Sequence, residues 1–252
     1  LKYMPPTRHS IKLPLIRHRN IRKERRSMNL RAKSEKFLAV GSSGTGKTSV
    51  LLRLLYAIPA DFIFVYDTAE GDYAEILKDK AIIVTTFSEF KDACMSHKIG
   101  KQTVIVFDST VSFEGMHVEM LEEFCEWILR FSRSNPHFTK LFFVDELQQF
   151  VSVNSIPRAF VAIVEIGRKL NIRLLMASNN FNCLHARIRS QLTALFLFQM
   201  RDTTILEKVS EFARPDVIKK LPDLEDGQFF MVPKKGKTEF ARIDLSAFYM
   251  HK

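Results

Sequence analysis

The chain alternates short apolar runs with longer segments in which apolar residues recur every three or four positions. Continuous short runs are typical of strands buried on both faces, and the longer spacing is typical of amphipathic helices. The pattern predicts strands over 37–40, 61–66, 81–85, 103–107, 141–144, 173–177 and 194–198. It predicts helices over 47–57, 72–78, 87–97, 115–133, 156–170 (after a polar cap at 154–155) and 203–212.

Strands that alternate with helices predict an α/β fold class, with a mostly parallel central sheet flanked by helices on both faces. Two further apolar runs, 228–232 and 239–243, enclose a Lys-Gly turn and predict antiparallel strands at one edge of the sheet. The regular pattern begins at Lys36, so residues 36–252 are predicted to form one domain. Residues 1–35 are rich in charge and contain several prolines, which predicts an extended arm with a short helix after Ile21.

The net charge of +10 is concentrated at the start of the chain. Residues 1–36 contain 12 Lys and Arg against 2 Glu, which leaves 26 of each sign from the totals of 38 and 28. A basic arm on a neutral domain fits a polyanionic partner such as nucleic acid. An acidic protein, a membrane surface and a solvated tail remain alternatives.

Composition also excludes some classes of protein. No apolar run approaches the roughly 20 residues of a membrane span, and the basic start lacks the apolar core of a signal peptide, so we expect an intracellular protein. Cys94, Cys125 and Cys183 are far apart and show no metal-ligand spacing, which predicts buried free thiols and no zinc site.

The first predicted strand runs into a glycine-rich loop, and the loop runs into the first predicted helix. Gly41-x-x-x-x-Gly46-Lys47-Thr48 has the spacing of a P-loop in the strand–loop–helix setting that the motif requires. Glycines let successive N–H groups face phosphate oxygens, the lysine reaches the β- and γ-phosphates, and the hydroxyl binds Mg²⁺. We therefore expect ATP and Mg²⁺ to bind here, with Lys47 in a catalytic role and Thr48 as a metal ligand. The predicted nucleotide-binding residues are Gly41, Ser42, Ser43, Gly44, Thr45, Gly46, Lys47, Thr48 and Ser49.

A pair of carboxylates follows the buried run LFFV. A P-loop enzyme needs a strand-end carboxylate for the Mg²⁺ shell and a group that polarises the attacking water. Asp145 fits the first role and Glu146 fits the second, as general base. Asp108 is a second candidate for the metal, although Ser109 follows it in place of a base. Asp67 is a third strand-end carboxylate, which we expect at the same edge of the sheet.

Three polar residues, Ser178, Asn179 and Asn180, follow the predicted strand at 173–177. An amide at the end of a buried strand can sense the γ-phosphate or orient the attacking water. The alternative is the start of a turn in which these side chains bond their own backbone.

Together these motifs resemble the FtsK–HerA superfamily of P-loop ATPases, which pump DNA. The resemblance rests on GSSGTGKT (Walker A), LFFVDE (Walker B) and EIGRKLNIRLLMASNN, and with the later segment ARIRSQLTALFLFQMRDTTIL it extends over residues 36–245. It implies a RecA/FtsK-like sheet, and the superfamily's sensor glutamine falls on Asn179, which keeps the amide on a shorter side chain. It also implies an arginine that reaches the γ-phosphate of a neighbouring subunit. The candidates are Arg168, Arg187, Arg189 and Arg201, of which Arg168 and Arg189 are favoured.

The compact chain looks most like the genome-packaging ATPases of membrane-containing icosahedral viruses and related large DNA viruses. That resemblance implies a hexameric ring that hydrolyses ATP and moves double-stranded DNA nonspecifically into a preformed capsid. Capsid-vertex or portal proteins would be further partners, and the protein would act in the host-cell cytoplasm and in association with the virion. Two alternatives remain open: an assembly or export ATPase of the filamentous-phage type, and a nucleotide-gated binding module that does not translocate DNA.

Overall fold

The computed structural model describes residues 36–68, 72–109 and 117–243. The arm predicted at 1–35 and its short helix lie outside these residues. The strands are β1 Lys36–Val40, β2 Phe62–Asp67, β3 Ile82–Val84, β4 Thr103–Asp108, β5 Lys140–Val144, β6 Ile172–Ser178, β7 Ala194–Leu197, β8 Gln228–Pro233 and β9 Glu239–Arg242. The helices are α1 Lys47–Ala57, α2 Asp72–Leu77, α3 Phe87–Met95, α4 His117–Ser134, α5 Arg158–Ile166, α6 Ala186–Gln191, α7 Thr203–Val209 and α8 Pro215–Ile218.

The described strands form one nine-stranded sheet in the order β3-β4-β2-β5-β6-β1-β7-β8-β9. Strands β1 to β7 pair in parallel, and β8 and β9 add an antiparallel pair at one edge. This arrangement confirms the predicted fold class. Because the parallel strands share one direction, the loops that follow β1, β5 and β6 all emerge at the same carboxyl edge.

The central strands are buried on both faces, as their unbroken apolar runs predict. Every residue of β1, β2, β5, β6 and β7 is buried. Side chains alternate between two hydrophobic clusters, so Leu38 and Val40 pack in one cluster while Phe37 and Ala39 pack in the other. The strands are therefore a rigid support, and the polar loops at the two edges of the sheet are left to carry chemistry.

The segment between β5 and β6 differs most from its predicted form. The helix expected over 156–170 begins only after Pro157, and it gives way at Gly167 to a 3₁₀ turn that ends at Leu170. Proline suits a helix start because its φ is fixed and it has no N–H to leave unpaired. At its other end the helix changes to the tighter 3₁₀ turn, and this brings the backbone against β6. A Cβ on Gly167 would lie only 3.3 Å from the carbonyl oxygen of Ile172.

Two short helices are absent from the predicted pattern. They are α6, with six residues, and α8, with four. Neither is long enough to show a helical period in its apolar residues. The predicted helix over 203–212 also ends early, because α7 stops at Val209.

The cysteines follow the prediction in part. Cys94 and Cys125 are buried free thiols, whereas Cys183 is free but only half-buried, so the prediction of burial is wrong there. Burial raises the pKa of the Cys94 and Cys125 thiols, which keeps both protonated. Among the described helices, none combines the length and the apolarity needed to span a bilayer.

Candidate nucleotide-binding and catalytic site

The P-loop joins the end of β1 to the start of α1, and its shape is set by the segment that follows β7. The N–H of Ser42 donates to the carbonyl of Gln199 over 2.9 Å. Gly41 packs so closely that a Cβ there would lie 2.6 Å from the Cβ of Phe198. Gly46 has φ of 100°, in the left-handed region that glycine adopts without a steric penalty. The loop is therefore curled as anion binding requires.

Lys47 begins α1 and is buried, although it carries an ammonium group. Its Nζ donates to the carbonyl of Gly41 over 2.9 Å and to the carbonyl of Ser42 over 2.8 Å. Burial lowers the pKa of Lys47, and the nearby carboxylates of Asp145 and Glu146 oppose that shift. The lysine thus lies inside the loop with its charge directed at the position expected for the β- and γ-phosphates.

Thr48 of the P-loop and Asp145 at the end of β5 are in contact at the carboxyl edge of the sheet. A P-loop hydroxyl and a strand-end carboxylate must lie this close if they hold the same ion. Asp145 follows β5, and Thr48 Oγ1 donates to Asp145 Oδ2 over 3.2 Å. Both groups supply oxygen donors, which Mg²⁺ prefers to nitrogen or sulfur. The residues present therefore fit a magnesium ion, which Thr48 and Asp145 would hold.

Tyr73 is a third group at this position. It lies on α2, is fully buried, and its hydroxyl donates to the same Oδ2 of Asp145. Burial raises the pKa of Tyr73 well above its usual range, and the Asp145 carboxylate raises it further. The phenol consequently stays protonated and donates to the same oxygen of Asp145 as Thr48 does.

Glu146 follows Asp145 in a backbone conformation that is uncommon for a residue with a side chain. Its φ is 49° and its ψ is 43°, and its N–H donates to Asp145 Oδ1 over 2.7 Å. Its own carboxylate accepts from Gln149 Nε2 over 2.6 Å. A left-handed residue costs roughly 1 kcal/mol or more, and such strain is concentrated at functional sites. The turn therefore aims Glu146 away from the strand direction and holds its carboxylate.

The other two strand-end carboxylates lie farther along the same edge. Asp67 and Asp108 are register partners on β2 and β4, and β2 separates β4 from β5. Asp67 is fully buried and accepts from the N–H of Ala74 over 2.9 Å, which places it at the start of α2. Since Thr48 contacts Asp145, the geometry favours Asp145 over Asp108 for the metal.

Strand β6 lies between β5 and β1, so the polar residues after it come between the carboxylates and the P-loop. The N–H of Asn179 donates to Gln148 Oε1 over 3.2 Å, which ties this segment to the turn after Glu146. Ser178 and Asn180 bond each other locally, since Ser178 Oγ donates to the carbonyl of Asn180 over 2.9 Å. The turn-forming alternative therefore describes Ser178 and Asn180, whereas Asn179 bonds Gln148.

The arginine candidates divide between the two edges of the sheet. Arg168 is exposed in the turn before β6, at the amino edge, and Arg189 lies on α6, which precedes β7. Arg187 pairs with Glu165 over 3.5 Å. Arg201 follows β7 on the P-loop side, and its Nε donates to the carbonyl of Pro222 over 3.4 Å.

Sequence reasoning missed Tyr73, Gln148 and Gln149. Tyr73 has no motif around it and reaches Asp145 only because β2 and β5 are neighbours. The two glutamines follow the carboxylate pair directly, so their position after LFFVDE was the available signal.

The fold and the site define a class of protein, the P-loop NTPases with a mostly parallel sheet. No family model and no curated protein matches the sequence. Solved structures do match in fold. One is the genome packaging NTPase B204 of Sulfolobus turreted icosahedral virus 2, with 16% identity and a TM-score of 0.65 over 84% of this chain and 98% of that one.

Two further similar structures come from bacterial proteins. VirB4 of Thermoanaerobacter pseudethanolicus matches with 11% identity and a TM-score of 0.64, over 85% of this chain and 90% of that one. The bacterial conjugative coupling protein TrwB matches with 11% identity and a TM-score of 0.63, over 87% of this chain and 86% of that one. B204 has also been solved with ATP-γS and with AMPPCP. The resemblance to the FtsK–HerA superfamily and to a viral packaging ATPase is therefore confirmed at the level of the fold.

Proposed function

We propose that this protein is an ATP-hydrolysing motor that translocates double-stranded DNA, and that it packages a viral genome into a preformed capsid. The observation that carries the proposal is the contact of Thr48 Oγ1 with Asp145 Oδ2 over 3.2 Å. It joins the two halves of an ATPase site on a fold shared with a genome packaging NTPase and a conjugative coupling protein.

Hydrolysis would use residues whose positions are already set. The P-loop N–H groups and Lys47 bind the β- and γ-phosphates and stabilise the charge that develops on them. A Mg²⁺ ion held by Thr48 and Asp145 would neutralise phosphate charge. Glu146 accepts a proton from the attacking water while Gln149 holds one oxygen of its carboxylate, and Asn179 orients that water or senses the γ-phosphate.

The motor requires further parts, which we propose with it. Arg168 or Arg189 would reach the γ-phosphate of a neighbouring copy, which calls for a ring, and six subunits are proposed. The domain at 36–252 would hold the motor, and the basic arm at 1–35 would contact DNA phosphates or capsid-vertex and portal proteins. The protein would act in the cytoplasm of the infected cell and remain associated with the virion.

The test is ATP hydrolysis with Mg²⁺, measured with and without long double-stranded DNA. We expect DNA to stimulate hydrolysis several-fold, and we expect Lys47→Ala and Glu146→Gln to lower the stimulated rate by roughly 10² to 10⁴. Glu146→Gln should still bind ATP, because the side chain acts on water and does not hold the nucleotide. Hydrolysis that is indifferent to DNA would contradict translocation and favour an assembly or export ATPase. ATP binding with no turnover would favour a nucleotide-gated module.

A further inference from the structure

The two edges of the sheet carry different groups of charged residues. The carboxyl edge holds the acidic residues of the candidate site. A group of cations lies at the amino ends of β6 and β1 and at the turn between β8 and β9. These cations form the basic edge: the exposed Arg168, Lys169, Lys234, Lys235 and Lys237, together with Lys36, which is buried and whose Nζ donates to Gln191 Oε1 over 3.2 Å.

The basic edge is contiguous although its residues are far apart in the chain. Strand β8 runs antiparallel to β7 with Pro233 opposite Ala194, so the turn after β8 lies at the amino end of β7. Thr193 ties the parts together, since its carbonyl accepts from the N–H of Lys234 and its Oγ1 accepts from the N–H of Lys36, each over 2.8 Å. Neighbouring strands lie about 4.8 Å apart, so the step from β6 to β8 covers about 15 Å.

The charge of the basic edge is not neutralised within the domain. Among the described residues, none of the six basic-edge cations forms an ion pair. Glu165, the nearby carboxylate, pairs with Arg187. Burial lowers the pKa of Lys36, the neighbouring ammonium of Lys234 lowers it further, and the carboxylate of Glu165 opposes the shift. Like charges held this close raise the free energy of the fold unless an anion from outside offsets them.

Helix ends explain only part of this charge. Cations are favoured at the carboxyl ends of helices, and Arg168 and Lys169 follow α5. The turn with Lys234, Lys235 and Lys237 follows a strand, so the helix dipole does not account for it. All three of these lysines are exposed.

The basic arm joins the protein at this same edge. Residues 1–35 contain 11 Lys and Arg against 2 Glu, and residue 35 is bonded to Lys36 at the start of β1. The segment that carries most of the chain's excess positive charge is therefore joined to the domain beside Lys234.

We propose that the exposed lysines of the basic edge, Lys169, Lys234, Lys235 and Lys237, bind the phosphate backbone of duplex DNA, on the opposite side of the sheet from the nucleotide. Arg168 remains a candidate for the γ-phosphate of a neighbouring copy. Lysines on an exposed turn act as point charges, which contact phosphates without reading base edges. Such contacts are independent of DNA sequence, as a translocating motor requires. The inference rests on the proposed function and assigns its DNA partner to one surface.

Two matched pairs of exposed lysines make the test specific. The first is Lys235→Glu/Lys237→Glu in the basic edge. The control is Lys219→Glu/Lys220→Glu, which makes the same change of charge after α8, next to the turn of Leu221–Asp223 that contacts the segment following β7 on the carboxyl side. Among the described residues, none of these four lysines forms an ion pair.

The measurement is binding of the full chain to a fluorescent duplex of random sequence, from about 50 to 200 mM salt, the range over which phosphate contacts weaken most visibly. We expect the basic-edge pair to bind at least about tenfold more weakly and to reduce the salt slope by about 1.8, since each phosphate contact contributes about 0.9. The control pair should bind within about twofold of the wild type. Hydrolysis without DNA should be unchanged in both, which shows that they fold.

Three outcomes would overturn the inference. If the basic-edge pair binds DNA as tightly as the wild type does, DNA remains a partner but contacts another surface. The arm would then be the remaining source of positive charge. Equal losses in both pairs would mean that only net charge matters. A wild-type chain that binds no duplex at low salt would overturn the DNA partner of the proposed function together with this surface.

Discussion

The carboxyl edge and the amino edge of the sheet treat their charged groups in different ways. At the carboxyl edge the polar side chains bond one another, as Thr48 and Tyr73 do with Asp145 and as Gln149 does with Glu146. At the amino edge Lys234 bonds a backbone carbonyl, that of Ser190, over 2.9 Å, and its neighbours in the turn are exposed. The polar side chains at the carboxyl edge are thus held by one another, whereas the lysines of the turn at the amino edge are exposed to solvent.

The contrast follows in part from the parallel sheet. Helices that follow the strands direct their N-termini to the carboxyl edge and their C-termini to the amino edge, which favours carboxylates at the first and cations at the second. The contrast teaches that the two edges differ in how their side chains are held more than in the sign of their charge.

The largest effect that bears on this contrast concerns the arginines near the amino edge. If Arg168 and Arg189 serve the γ-phosphate of a neighbouring subunit, Arg168→Ala/Arg189→Ala should lower hydrolysis by about 10³ and leave ATP binding intact. Arg187→Ala is the matched control and should stay within about threefold, because Arg187 pairs with Glu165.

Mixing subunits decides whether the arginine acts between copies. The double variant mixed with Lys47→Ala should recover part of the activity, since each variant supplies what the other lacks. A loss caused instead by Arg201→Ala would move this role to the carboxyl edge of the sheet.

A smaller effect tests how firmly the carboxyl edge is prearranged. Tyr73→Phe removes a hydrogen bond to Asp145 that is worth about 1 kcal/mol, so the Mg²⁺ concentration for half-maximal hydrolysis should rise about fivefold. The maximal rate should change little, because Asp145 still meets Thr48. The measurement is hydrolysis against Mg²⁺ concentration, with Tyr66→Phe, another buried tyrosine, as the control. A lower maximal rate at an unchanged Mg²⁺ requirement would contradict a positioning role.

The last expected effect is on stability and leaves the site untouched; it concerns Lys140, a buried cation at the amino edge. Its Nζ donates to the carbonyls of Asn135 and Leu170 over 2.8 and 3.0 Å, and burial lowers its pKa to about 8 from 10.5. The unfolded chain therefore binds this proton more tightly, and the penalty on folding is full below pH 8 and fades as the pH rises toward 10.5.

Chemical denaturation across that pH range measures the effect. The free energy of unfolding should rise less with pH in Lys140→Met than in the wild type, by up to about 3 kcal/mol, since each pKa unit corresponds to about 1.4 kcal/mol. Lys169→Met, at an exposed position in the turn before β6, should follow the wild-type profile. Identical profiles for Lys140→Met and the wild type would show that Lys140 is charged in the fold at no cost.

Most of the correct predictions of strands and helices came from local sequence patterns. The helix over 47–57 has the predicted bounds, and most of the predicted strands lie within one residue of their observed limits. Short helices such as α6 and the 3₁₀ turn at Gly167–Leu170 could not be predicted, because tertiary packing sets their form and they are too short to show a period.

The sequence by itself determined the α/β class, the P-loop and the presence of strand-end carboxylates. Each of these depends on neighbouring residues whose types and spacing indicate one structure or one chemical role. The tertiary structure alone decided that Asp145 meets Thr48, that Tyr73 reaches the same oxygen, and that the turn at Lys234 lies beside Lys36. These contacts join residues far apart in the chain and depend on the order of the strands. Apolar periodicity indicates which face of a strand is buried, but it does not indicate which strand lies next to it.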